Sequence, residues 1–197
     1  MARSKDEALE KKRKAEILEA AARCFVAKGF HQASMRSICS EAGLSAGAVY
    51  NYFPSKDAII EGMIAWEFEE IEELAAYLSS EPNALTAVVE AVRSIIKETT
   101  VNDAQLYAEL MAEAGRNDKL RNKFGETDAA LQASLLGAIK RGQHSGQITD
   151  RLDADALLSV VIAVYEGFVG RIGYEGHGDR ASMADLAAYA ARNLLKP

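Results

Sequence analysis

Only three prolines and two cysteines occur in the 197 residues, and aromatic side chains make up 7% of them. Two cysteines cannot supply the disulfide framework of a small secreted scaffold, and Cys24 and Cys39 both fall on apolar helical faces, where they read as small buried hydrophobes. His31, His144 and His177 stand apart from one another and from any cysteine or carboxylate at metal-ligand spacing. No metal and no cofactor is therefore expected. The longest apolar run, Leu157 to Tyr165, soon meets Glu166 and Arg171 and falls short of the ~18 residues of a membrane span. The opening MARSKDEALEKKRKAE is charged and lacks the apolar centre of a secretory signal, so a cytoplasmic address without a membrane partner is expected. No glycine-rich phosphate loop or paired nucleophile and base suggests an enzyme.

Hydrophobic residues make up 49% of the chain, enough for a buried core, and the scarcity of proline with helical spacing of the apolar residues predicts an all-α protein. The net charge of −6 argues against a polyanionic partner only until the chain is divided. Residues 1–60 carry ten Lys and Arg against seven Asp and Glu, whereas 61–197 carry thirteen against twenty-two. A local positive balance decides contact with phosphate.

That positive part holds the stretch SMRSICSEAGLSAGAVYNYFPSK, Ser34 to Lys56. Met35, Ile38, Cys39 and Ala42 recur at helical spacing, Gly43 stops the helix, and Ser45 supplies an oxygen to cap a second helix over about Ala46 to Phe53. Val49 and Phe53 form its inner side, leaving Ala46, Gly47, Ala48, Tyr50, Asn51 and Tyr52 to face outward. Two short helices joined by a glycine turn make a helix-turn-helix whose second member can enter a DNA major groove.

The run AGLSAGAVYNYFPSKDAI, preceded by ILEAAARCFVAKGF, closely resembles the signature of the tetracycline-repressor (TetR) family of transcriptional regulators. The resemblance spans about 45 residues and includes Gly29, Phe30, Ile38, Gly43, Ser45, Gly47, Tyr50, Tyr52, Phe53 and Lys56. It implies that Tyr50, Tyr52 and Lys56 grip the DNA backbone and that Ala46, Gly47, Ala48 and Asn51 approach the bases. Ser34 is expected to cap the first helix and offer its hydroxyl to phosphate, with Arg36 reaching phosphate or a base edge. Position 46 departs from many relatives, where a longer polar or basic residue is common. Alanine there offers only apolar contact, so Arg36 and DNA shape are expected to carry more of the specificity.

Ser4 and Glu7 have capping-box spacing, which starts the first helix and runs it to Lys28. Its early charges read either as a solvated, self-paired end, with Glu7–Lys11 and Glu10–Lys14 at i,i+4, or as a basic arm of Lys5, Lys11, Lys12 and Arg13 reaching the sugar-phosphate backbone. After Pro54, Ser55 caps a long helix whose stripe of Ile60, Ile64, Phe68, Ile71, Leu74 and Leu78 makes it a lever of roughly 33 Å leaving the DNA-binding part. Domain boundaries are accordingly expected at 1–54 for the helix-turn-helix domain and 55–197 for an effector-binding and dimerisation domain.

Further helices are expected over Leu85 to Thr99, Leu106 to Ala114, Leu120 to Ile139, Ala154 to Tyr174 and Met183 to Leu194. The fourth of these is apolar nearly all round. It is either the central helix of a bundle or half of a two-fold interface with the last helix, and the family resemblance favours the latter, with Val161, Val164, Leu186 and Leu194 at the contact. Gly167, Gly170 and Gly173 flatten one flank for close approach. Trp66, Tyr107, Met111, Phe124, Tyr165 and Phe168 are either plain core or the lining of an apolar effector site. Glu109 and Glu113, four apart, read as a solvated face or a contact to a cationic ligand. The resulting expectation is a homodimeric repressor of double-stranded operator DNA released by a small apolar effector. The alternatives are an effector-independent binder or activator and, in another class, a helical ligand carrier or enzyme.

Overall fold

A computed structural model describes the backbone of residues 2–176 and 179–197, and the side chains of all but 1–7, 67–70, 127 and 177–178. The expected Ser4–Glu7 capping box, the Glu7–Lys11 pair, Lys5, Phe68 and His177 lie outside the described side chains. Among the described residues the secondary structure is helical throughout: α1 (Ala2–Gln32), α2 (Met35–Ala42), α3 (Ala46–Tyr52), α4 (Lys56–Ser80), α5 (Ala84–Glu98), α6 (Val101–Ala114), α7 (Asp118–His144), α8 (Ala154–Glu175) and α9 (Arg180–Leu195).

The chain forms two compact units that do not follow the expected 54/55 boundary. One comprises 1–66 together with 106–123, and the other 67–105 together with 124–197. Three helices, α4, α6 and α7, are thus shared between the units.

In the first unit, Ile17, Ala21 and Phe25 of α1 are fully buried with Ile38 of α2, Val49 of α3 and Ile59 and Ile60 of α4. Phe25 and Phe30 stack at 5.4 Å in a tilted arrangement, and Cys24 and Cys39 are free, buried thiols. Gly29 has φ +72°, which turns the end of α1 toward α2. Leu110, Ala114 and Leu120 bring the end of α6 and the start of α7 into the unit's apolar interior.

In the second unit, α5 packs against α9, and α8 against both. Val88, Val92 and Ile96 of α5 and Ala187, Ala191 and Leu195 of α9 are almost wholly buried. The alanines keep α9 thin, so the branched side chains of α5 fill the space between, each stabilising the unit by about 1.5–3 kcal/mol. Gly173 of α8 lies against the Ala104 backbone, where a Cβ would stand 3.2 Å from the carbonyl carbon. Among the described residues α8 alone has the length and apolar composition to cross a membrane. Its buried side, Leu157, Leu158, Val161, Val169 and Ile172, belongs to the packing of this unit.

Candidate nucleic-acid interface

Both short helices of the candidate motif start on serine caps. Ser34 Oγ accepts from the Ser37 amide at 3.1 Å while Ser37 Oγ accepts from the Ser34 amide at 3.0 Å, a reciprocal box that satisfies two otherwise free donors. Ser45 Oγ accepts from the Ala48 amide at 3.2 Å. Each cap is worth about 1 kcal/mol to its helix. Between them Gly43 takes φ +64° and its amide donates to the Cys39 and Ser40 carbonyls, so the turn expected from sequence forms on the residue expected.

Val49 is fully buried and Phe53 nearly so, which fixes the rotation of α3. Ala46, Gly47, Tyr50 and Asn51 are exposed, and Ala48 and Tyr52 are half-buried at its margins. A Cβ at Gly47 would meet nothing within 4 Å. The start of α3 is therefore small and open on its outward side, with Tyr50 exposed one turn further on. Arg36 is exposed in the first turn of α2.

Lys56 is placed differently from the expected backbone grip. Its ammonium donates to the Phe30 carbonyl at 2.6 Å and the Ala33 carbonyl at 3.0 Å, and stands 4.1 Å from the centre of the Phe30 ring. Two of its three donors are thus engaged by the connector between α1 and α2, one residue before the Ser34 cap. Lys56 joins the start of α4 to the start of α2. Gly62 has a related role that sequence reading missed: a Cβ there would stand 2.7 Å from the Phe53 ring and 3.2 Å from Leu18. A glycine inside an otherwise apolar helix is the signal that could have found it.

The cations at the start of α1 occupy the other end of this unit. Lys11 lies over the Trp66 ring at 5.5 Å, ten residues along α4 from Lys56, a separation of about 15 Å. Since Lys56 meets the end of α1 and Trp66 its beginning, the two helices run antiparallel, with residues 11–14 away from Ser34. Lys14 pairs with Glu10 at 2.7 Å, one of the two pairs of the self-paired reading, and Arg13 pairs with Glu16 at 2.7 Å.

Of Glu109 and Glu113, expected on a solvated face or against a cationic ligand, Glu109 is half-buried, and for Glu113 the solvated face is corrected. Glu113 is 5% exposed, with His31 Nε2 at 3.0 Å and Arg116 Nη2 at 3.6 Å from its Oε2. Gly29 would carry its Cβ 3.6 Å from Glu109 Oε2. Helical spacing alone could not show this, because what covers the carboxylate comes from the end of α1.

The six expected effector residues are divided. Trp66, Tyr107 and Met111 belong to the first unit, and Phe124, Tyr165 and Phe168 to the second. Trp66 is 38% exposed beneath Lys11. In the second unit, burial holds the Asp128 carboxyl above its usual range, and burial together with the Asp128 charge does the same to Glu166. A cavity of about 330 Å³ there is bounded by Thr149, Arg151, Leu152 and Leu194 and contains none of the six.

Of the expected interface residues, Val161 is corrected: it is fully buried within its own chain and has no surface to share. Val164 and Leu194 are half-buried, and Leu186 is 56% exposed. The outward stripe of α8 is instead Val160, Ala163, Gly167, Gly170 and Tyr174, and on α9 Leu186 and Tyr189 are exposed.

Residues 17–63 match the sequence profile described as bacterial regulatory proteins, tetR family, and residues 83–196 that of the BetI-type transcriptional repressor, C-terminal. The chain is 31% identical over 156 residues to the HTH-type transcriptional regulator UidR of Escherichia coli, covering 75% of this chain and 77% of the relative. It is 25% identical over 183 residues to the HTH-type transcriptional repressor AcnR of Corynebacterium diphtheriae, covering 92% of each. Among solved structures, a transcriptional regulator from Saccharomonospora viridis in complex with choline superposes with a TM-score of 0.80 at 20% identity, over 95% of this chain and 99% of that one.

Proposed function

The chain belongs to the tetR family of bacterial regulatory proteins, and from that premise we propose that it is a cytoplasmic repressor that binds operator DNA as a homodimer and releases it when a small, largely apolar effector binds. It is a DNA-binding transcriptional regulator and not an enzyme. The observation that carries the proposal is the capped pair α2–α3, in which burial of Val49 and Phe53 turns Ala46, Gly47, Tyr50 and Asn51 outward beside Arg36. In this reading Ser34, Ser45 and Tyr52 contact phosphate with Tyr50, the small start of α3 lies against base edges, and Lys56 holds the two helix starts in place.

Dimerisation is supported by the apolar stripe of α8 and α9. Tyr174 is 92% exposed and Tyr189 68% in the single chain, and a Cβ at Gly167 or Gly170 would meet nothing. Such a face, repeated by a two-fold axis, gives a four-helix contact. Effector binding is assigned to the second unit around Phe124, Tyr165 and Phe168, with release of DNA as a population shift between competent and incompetent forms. A second reading of the effector, an organic cation, takes support from half-buried Asp128, whose ionised form burial disfavours and a positive partner would relieve. The Saccharomonospora viridis regulator, which holds the cation choline, supports that reading.

Selection of duplexes from a random pool tests the proposal. The protein should enrich a palindromic site whose half-sites lie one helical turn or a multiple of it apart. A pool that remains unenriched would remove the operator-binding reading.

A further inference from the structure

Glu113 has no role in DNA contact, dimerisation or effector binding as assigned so far, yet it is the one buried charged side chain among the described residues. Burying a carboxylate is costly unless it is fully paired. Here the nearby basic side chains are exposed: His31 is 69% and Arg116 62% accessible, and Oε2 stands 3.0 and 3.6 Å from them without a hydrogen-bond partner among the described residues. A group so placed is poorly explained by stability.

What Glu113 holds is informative. His31 lies in the connector Gly29–Ala33, whose Phe30 and Ala33 carbonyls accept from Lys56 and whose last residue precedes the Ser34 cap. Glu109, one turn earlier on α6, faces Gly29 of the same connector. A second ion pair, Lys119 with Glu61 at 2.5 Å, fastens the start of α7 to α4. Residues 106–123 thus meet residues 1–66 through polar side chains at two places within the DNA-binding unit.

We propose that Glu113 is a positioning residue for DNA binding: paired with His31, it fixes the α1–α2 connector and so the start of α2, which makes the end of α6 a working part of the DNA-binding unit. A loose connector would have to be ordered at each binding event, and affinity would fall by that entropy. The inference rests on the DNA-contacting face assigned above to α2 and α3.

The test uses fluorescence anisotropy with a labelled duplex selected by the full-length wild-type protein, and thermal unfolding in parallel. Glu113→Gln should weaken duplex binding by roughly tenfold with Tm unchanged or raised, since the amide keeps the volume and removes the buried charge. His31→Ala should weaken binding to a similar degree, the double variant no further than either single one, and His31→Lys should retain affinity. Should Glu113→Gln fail to fold, His31→Ala, at an exposed site, carries the same test. Unchanged affinity, additive losses, or affinity and Tm falling together would overturn the proposal. Arg36→Ala separates the two levels: loss there with none in Glu113→Gln defeats the positioning role alone, and loss in neither defeats the face on which it rests.

Discussion

The protein leaves two helical faces open, and they differ in chemistry. On α3 and the start of α2 the exposed residues are small or polar: Ala46, Gly47, Tyr50, Asn51 and Arg36. On α8 and α9 they include large apolar side chains, Val160, Tyr174, Leu186 and Tyr189, with exposed glycines on α8 and charged residues such as Glu166, Arg171 and Asp185 among them. Each open face is set by a fully buried valine, Val49 in one and Val161 in the other. A face for a hydrated polyanion needs free donors and little bulk, whereas one that excludes water against its own copy needs apolar area. The same helix-rotation device thus produces two faces for two partners.

The comparison breaks most visibly on the second face. Val161→Arg places an unpaired charge in the chain's own core, costs on the order of 3–5 kcal/mol, and should give unfolded or insoluble protein by circular dichroism. Leu186→Arg, on the open side, should give a folded chain that sediments as a monomer. A folded Val161→Arg chain that sediments as a monomer would place that valine on the interface after all.

On the first face, the contrast lies between Lys56 and Arg36. Lys56→Ala removes two hydrogen bonds from a charged donor and should lower stability by ~1.5–3 kcal/mol while leaving the salt dependence of duplex binding unchanged. Arg36→Ala should leave Tm in place. If Arg36 meets phosphate, the slope of log affinity against log salt flattens by about 0.9 for each phosphate no longer neutralised; if it meets a base, preference among sequences is erased instead. A flattened slope in Lys56→Ala would return that residue to the phosphate class.

The smallest effect concerns Asp128. Its carboxyl is raised by burial, so the folded chain holds that proton more tightly than the unfolded one. The stability cost of ionising it is fully present above its folded pKa and is removed as pH falls below its unfolded value, roughly 4. Asp128→Asn should therefore raise Tm at neutral pH and lose that advantage in acid, as differential scanning across pH will show. An organic cation that binds here should protect the wild type more than the variant.

The helix-turn-helix was legible in the sequence to the level of individual caps, because Ser34, Gly43, Ser45, Val49 and Phe53 act through local rules of helix ends and periodicity. Helix starts were less legible elsewhere. α6 begins at Val101, where Thr100 and Asp103 cap each other reciprocally, a T-x-x-D signature that the apolar stripe from Leu106 outweighs in the sequence. The rest depended on contacts distant in the chain. Lys56 finds carbonyls 23 and 26 residues away, and Glu113 is covered by α1. Val161 was misplaced because a helix apolar on every side gives no periodic signal of which side faces inward.

The claim on which everything else depends is that the outward side of α3 enters DNA, and Gly47→Glu tests it most directly. Position 47 is exposed, in a short helix whose packing it does not touch, and a side chain there has open space. The variant should melt with the wild type and lose the selected duplex by roughly a hundredfold or more, because like charge placed against phosphate costs several kcal/mol. A Gly47→Glu protein that binds that duplex with wild-type affinity would contradict the assignment of α3 to the groove.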